Sequence, residues 1–222
     1  MNKKQFNPIA EIFKHLTISL IFALAGYIVA QQFIPIYIIS IADTLIFGFI
    51  IALLILALIS KKGVLPTRFS MNYVYLFAFL EGITLYPIFI VYLYELGVST
   101  VLFVIIGTIA IFATLTAIAS KKEAGHYLKF GPALYASLIV LIILSFLGFF
   151  ITSNFYNMMV SIAGIIIFSL YILYDISLIK KRIELNELKD TKDLSIHVLN
   201  LFLDFVDILL DILHLIASAS DN

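Results

Sequence analysis

The residues most able to do chemistry in this chain are three aspartates, Asp204, Asp207 and Asp211, set inside the apolar run 198–216 between Asn200 and His214. His197, Asn200, Asp204, Asp207, Asp211 and His214 follow one another at alternating three- and four-residue steps, which places all six on one stripe of a helix. Every other residue of that segment is apolar or small. An aspartate at the centre of a membrane helix costs roughly 3 kcal/mol, whereas each Leu, Ile, Phe or Val returns about 0.3 to 0.6. Three acids therefore nearly cancel the apolar residues around them. Such a helix must be sheltered by other helices or by a water-filled cavity, and acids in that position are candidate functional groups.

Two more acids stand in apolar surroundings. Glu81 occupies the middle of the run 71–92, followed by Gly82 and Pro87, and the proline predicts a kink or hinge near the acid. As a structural residue Glu81 would be protonated and bonded to a neighbouring helix; as a functional one it would belong to an ion path. Asp175 closes the sequence Tyr171-Ile172-Leu173-Tyr174-Asp175, shortly before Lys180. Alone it reads as an interfacial carboxylate, but the helix bearing Asp204 starts from the same face, so the two acids can meet. Two carboxyls in a poorly hydrated site share a proton rather than both ionise. Protonated, they tie two helices together; ionised, they repel and offer oxygen ligands to a hard cation such as calcium, held transiently by Asp175 and Asp204. Asp207, Asp211 and Asn200 continue the stripe as an ion path. The spacing of His197 and His214 matches no metal-ligand pair.

The elements that position these groups follow from composition. Of 222 residues 63% are hydrophobic and 13% charged, and mean hydropathy is +1.12, which describes an all-α, polytopic membrane protein. Seven windows are long enough to cross a bilayer: 16–30, 40–59, 71–92, 101–119, 132–151, 156–179 and 195–217. All fourteen basic residues lie at the N-terminus, residues 1–15, or in alternate loops, while the intervening loops at 31–39, 95–100 and 152–154 contain none. The bias predicts an inside N-terminus and an outside C-terminus. The segment 180–194, rich in both charges, is predicted to be a cytoplasmic loop into which the sixth helix could extend. Residues 1–222 read as one seven-helix domain, without internal repeats or a cleavable signal. Cysteine is absent, so neither disulfides nor thiolate chemistry enter. The zero net charge gives no support to nucleic-acid binding.

Three runs carry a family resemblance: Tyr75-Leu76-Phe77-Ala78-Phe79-Leu80-Glu81-Gly82-Ile83-Thr84-Leu85-Tyr86-Pro87-Ile88, Phe168-Ser169-Leu170-Tyr171-Ile172-Leu173-Tyr174-Asp175, and Leu199-Asn200-Leu201-Phe202-Leu203-Asp204-Phe205. In this order they resemble the Bax inhibitor-1 family, especially its prokaryotic pH-sensitive calcium leak channels. The resemblance implies six helices wrapped around a central seventh, with Asp175 and Asp204 as the paired pH sensor at the cytoplasmic mouth. It also implies a basic latch to the aspartates, for which Lys61, Lys62 and Arg68 are the candidates; a lysine supplies charge but not the planar fork of arginine.

The leading expectation is a pH-gated calcium leak channel, monomeric, without a cofactor or enzymatic activity, moving calcium and sensing protons in the cytoplasmic membrane of a prokaryote. A cation/proton exchanger is a close variant. A non-transporting regulator with a membrane-protein partner, a protease or a cell-death protein, is the alternative from another class. An intramembrane aspartyl protease is disfavoured, because Leu201-Phe202-Leu203-Asp204 lacks the glycines of the Gly-x-Gly-Asp motif.

Overall fold

The structure, a computed structural model, describes residues 7–39, 41, 68–151 and 153–220. Its elements are α1 (Pro8–Phe33), α2 (Met71–Lys121), a 3-10 turn (Leu128–Phe130), α3 (Gly131–Gly148), α4 (Asn154–Glu184) and α5 (Thr191–Ser220). The predicted span 40–59 lies outside the described residues, as do Lys61 and Lys62.

Local chemistry sets the helix ends. At the start of α1 the Asn7 side chain accepts from the Ala10 N–H, Pro8 stands in the first turn and Glu11 faces the positive helix end. The helix stops at Ile34, which is extended and precedes Pro35, a position that disfavours helical backbone. α1 is longer than the predicted window 16–30. Ser153 caps α4 by accepting from the Tyr156 N–H. That helix continues to Glu184, so the predicted loop 180–194 shrinks to residues 185–190 between α4 and α5. Lys181 and Arg182 in the last turn complement the negative helix end, and Asn186, at φ 57, takes the left-handed conformation that terminates it.

α2 contains two predicted spans, 71–92 and 101–119. The helix runs on through Pro87, and the break in helical dihedrals falls instead at Gly97, with φ 77 and ψ 158. Losing one backbone bond at Pro87 leaves the helix unbroken, whereas the dihedrals at Gly97 are a combination open essentially to glycine alone.

The chain divides into two compact units, one of Met1–Val91 with Leu188–Leu199, the other of Tyr92–Glu187 with Asn200–Asn222. In the first, α1 and the start of α2 touch backbone to backbone. A Cβ on Gly26 would lie 2.0 Å from the Phe79 carbonyl oxygen, and one on Gly82 would lie 1.9 Å from that of Ala23. Small residues permit this closeness where dispersion must hold helices together. Tyr75 stacks on Phe22 at 5.2 Å and hydrogen-bonds His15, while Tyr27 sets its ring against the edge of Tyr86 at 5.4 Å.

In the second unit, the Tyr156 hydroxyl donates to the Leu144 carbonyl, joining α4 to α3. The turn after α2 is stapled to α4: Gly125 N–H donates to the Ser177 carbonyl at 3.2 Å, Tyr127 N–H to Ser177 Oγ at 3.1 Å, and Lys180 Nζ to the carbonyls of Ser120 and Lys122. Leu201, Phe202, Ile208 and Leu213 of α5 are fully buried, while Phe103 on α2 and Phe155 on α4 are at least 70% exposed. Large apolar groups outside and acids inside are the pattern of a protein whose solvent is lipid. Four helices among the described residues, Pro8–Phe33, Met71–Lys121, Leu128–Gly148 and Asn154–Glu184, are long and apolar enough to cross a membrane. α5 is as long, but it carries the three aspartates.

Candidate functional site

The acids of the second unit are arranged by an antiparallel register between α4 and α5. Asn200 donates a side-chain hydrogen bond to Asp175. About one turn along, Asp204 stands in electrostatic range of Tyr171 and of Asp175. Further on, Gly164 faces Asp211, and a Cβ at Gly164 would lie 2.0 Å from Asp211 Oδ2. Each step back along α4 is matched by an equal step forward along α5. Residues far apart in sequence thus line one seam.

Asp175 is 3% exposed and Asp204 6%. Asp204 Oδ2 is buried without a hydrogen-bond partner, as is Asp211 Oδ2. A buried acceptor left unpaired costs about 1–3 kcal/mol, so the seam is a place where stability is given up. Asp207 is half-buried and acts electrostatically on both Asp204 and Asp211. Tyr92 on α2 lies within range of Asp211. No group of three or more His, Asp or Glu among the described residues converges as a metal cage.

The first unit holds the other expected residues. Glu81 is half-buried on α2, beside the backbone contact at Gly82, and its carbonyl accepts from Thr84 Oγ1 at 2.9 Å. Arg68, a candidate latch, donates from Nη2 to Asp190 at 2.6 Å and from Nε to Asp193 at 2.8 Å. The sequence reading missed both of these acids, although an Asp-x-x-Asp spacing just before an apolar run is a capping signal. It also missed Gly164, whose role depends on what stands opposite.

Four helices long and apolar enough to cross a membrane, in a chain whose described residues are almost all helical, define a multi-pass membrane protein, and its buried carboxyls lie where α4 packs on α5. Residues 6–221 match the family profile described as inhibitor of apoptosis-promoting Bax1; the chain belongs to the Bax inhibitor-1 family. It is 30% identical over 156 residues to an uncharacterized protein of Helicobacter pylori strain J99, covering 69% of this chain and 64% of that one. An uncharacterized protein of Campylobacter jejuni is 31% identical over 202 residues, covering 89% and 78%. The match therefore spans somewhat less than two thirds of the Helicobacter relative.

Proposed function

We propose that this protein is a calcium leak channel gated by the shared proton of Asp175 and Asp204. The observation that supports the reading is that two buried carboxyls, one of them with an unpartnered oxygen, lie within electrostatic range of each other on helices separated by the turn at 185–190. Two such groups in a poorly hydrated place keep one proton between them and so hold α4 to α5. Loss of that proton replaces attraction with repulsion and leaves oxygen ligands for a divalent cation. Asp207 and Asp211 extend the acidic seam away from the pair, and supply the path.

In this reading the chain has seven spans, with its N-terminus inside, its C-terminus outside and the aspartate-bearing helix at the centre of one domain, in the cytoplasmic membrane of a prokaryote. Lys61 or Lys62 serves as the basic latch. A helix that served only as a docking element would gain stability by replacing its buried acids with leucine, which favours a transport role over a purely regulatory one.

The test is calcium flux through purified protein in liposomes across about pH 5 to 8, where sharing of one proton between two buried carboxyls would be read out. The unmodified protein passes calcium with a pH dependence, and Asp204→Asn, which cannot lose a proton, flattens it. Flux equal to empty liposomes at every pH removes the channel. Flux with the same pH profile in Asp204→Asn removes the gate.

A further inference from the structure

The first turn of α5 is held by more than its own backbone. Asp190 Oδ1 accepts from the N–H groups of Lys192 and Asp193 at 2.8 and 3.2 Å, and Asp193 Oδ2 accepts from those of Lys189 and Asp190 at 2.9 and 3.1 Å. This is a reciprocal capping box built from two aspartates. Each acid gives its remaining charge to one residue, Arg68, whose Nη2 reaches Asp190 and whose Nε reaches Asp193. Beside it, Phe69 N–H donates to Ser195 Oγ at 3.3 Å, and that hydroxyl donates to the Lys192 carbonyl. Asp193 is largely buried and Ser195 fully so.

A guanidinium near a helix N-terminus opposes the macrodipole. It is tolerated here because two carboxylates lie between the charge and the helix. Removing either acid leaves Arg68 facing the positive end, so the three residues act as a unit.

The position of the unit on the helix matters as much as its strength. α5 is continuous from Thr191 to Ser220. Counting about 100° per residue, Asn200 and Asp204 each lie within roughly 20° of Asp193 around the axis, one on either side. The residue that Arg68 grips therefore belongs to the stripe whose acids meet Asp175. Because the helix is continuous, a slide or rotation of α5 along its axis carries the Asp193 carboxylate with Asn200 and Asp204, and about 1 Å of displacement from Arg68 breaks a 2.8 Å hydrogen bond.

We infer that Arg68 is a positioning residue for the gate: by clasping Asp190 and Asp193 it sets the axial and rotational register of the helix that carries Asn200 and Asp204. The clasp is not itself the proton sensor. Partial burial pushes the Asp190 carboxyl upward, but the N–H groups of Asp193 and Lys192 and the Arg68 guanidinium outweigh it and hold that acid below its ordinary range. Its interaction is present above that range and is lost only as pH falls through the lowered value. In its functional consequence the inference rests on the gate proposed above, so one readout must work without ion movement.

That readout is amide hydrogen exchange of residues 191–199 in the full chain in lipid nanodiscs, alongside calcium flux in liposomes, for Arg68→Gln, Arg68→Lys and Asp193→Asn. Arg68→Gln speeds exchange about three- to tenfold and moves the pH midpoint of flux. Arg68→Lys, which keeps the charge but cannot reach both acids in a planar fork, falls between; it also serves should Arg68→Gln fail to fold. Arg68→Gln combined with Asp193→Asn adds little to either alone. Unchanged exchange in Arg68→Gln overturns the clasp, and faster exchange with an unmoved flux midpoint overturns its positioning role. Absence of flux from the unmodified protein tells against the channel, while exchange still decides the clasp.

Discussion

Replacing Gly82 with alanine tests the packing that holds the first unit together. The added Cβ would stand 1.9 Å from the Ala23 carbonyl oxygen, 2.6 Å from its carbon and 2.9 Å from its Cα. Ordinary contact begins at 3.4 Å, so α1 and α2 must separate locally by about 1.5 Å. The obstacle is helix backbone, which has no rotamer to turn aside, and overpacking of this kind costs about 3 kcal/mol, the upper end of the usual range. Gly26→Ala meets the Phe79 carbonyl oxygen at 2.0 Å and should cost a similar amount. One displacement relieves both clashes, because the two glycines face each other's helices one turn apart. The double variant is therefore far from additive, losing about as much as either single. Unfolding in detergent, followed by heat or by denaturant, measures all three proteins. A loss below about 0.5 kcal/mol for Gly82→Ala, or full additivity in the double variant, would refute the close crossing. Because Glu81 precedes Gly82, the same displacement shifts the acid and should alter calcium flux in whatever fraction still folds.

Two further glycines give contrasting outcomes. At Gly164 the obstacle to a Cβ is the carboxyl end of Asp211, which can rotate, so Gly164→Ala should cost only about 1 kcal/mol yet displace the acid and, under the proposed channel, reduce flux; wild-type flux would take Asp211 out of the proposed path. At Gly97 a Cβ would meet nothing within 4 Å, but φ is 77 and ψ 158, so Gly97→Ala should lose about 1–3 kcal/mol through backbone strain alone. Gly107→Ala, also in open space but inside the helix, is the control, expected to be neutral or slightly stabilising; equal losses at the two positions would disprove strain at Gly97.

The helical stripe from His197 to His214, the apolar windows and the three runs that resemble the Bax inhibitor-1 family were all legible in the amino-acid order. Each depends on covalent geometry that repeats every few residues, or on types standing next to one another. Helix limits were not read from the apolar windows: α1 runs from Pro8 to Phe33 rather than over 16–30, because the cap at Asn7 and the stop before Pro35 act on the backbone and leave hydropathy unchanged. The charge pattern of 180–194 allowed the sixth helix to extend into it, and α4 does so as far as Glu184, its basic last turn serving as a favourable helix end. Gly97 was not singled out, because a proline announces its missing hydrogen bond in the sequence, whereas a glycine's dihedrals are invisible until the chain turns there.

Which residue faces which was decided by tertiary structure alone. The acidic stripe gives α5 a polar face but no partner. Asp175 meets Asn200, Gly164 meets Asp211 and Arg68 takes Asp190 and Asp193, and no local pattern specifies those pairings. They follow from the axial register of packed helices, set by the sum of many side-chain contacts and by the short turn at 185–190. Sequence periodicity is a property of one helix, whereas a seam that buries carboxyls is a property of two.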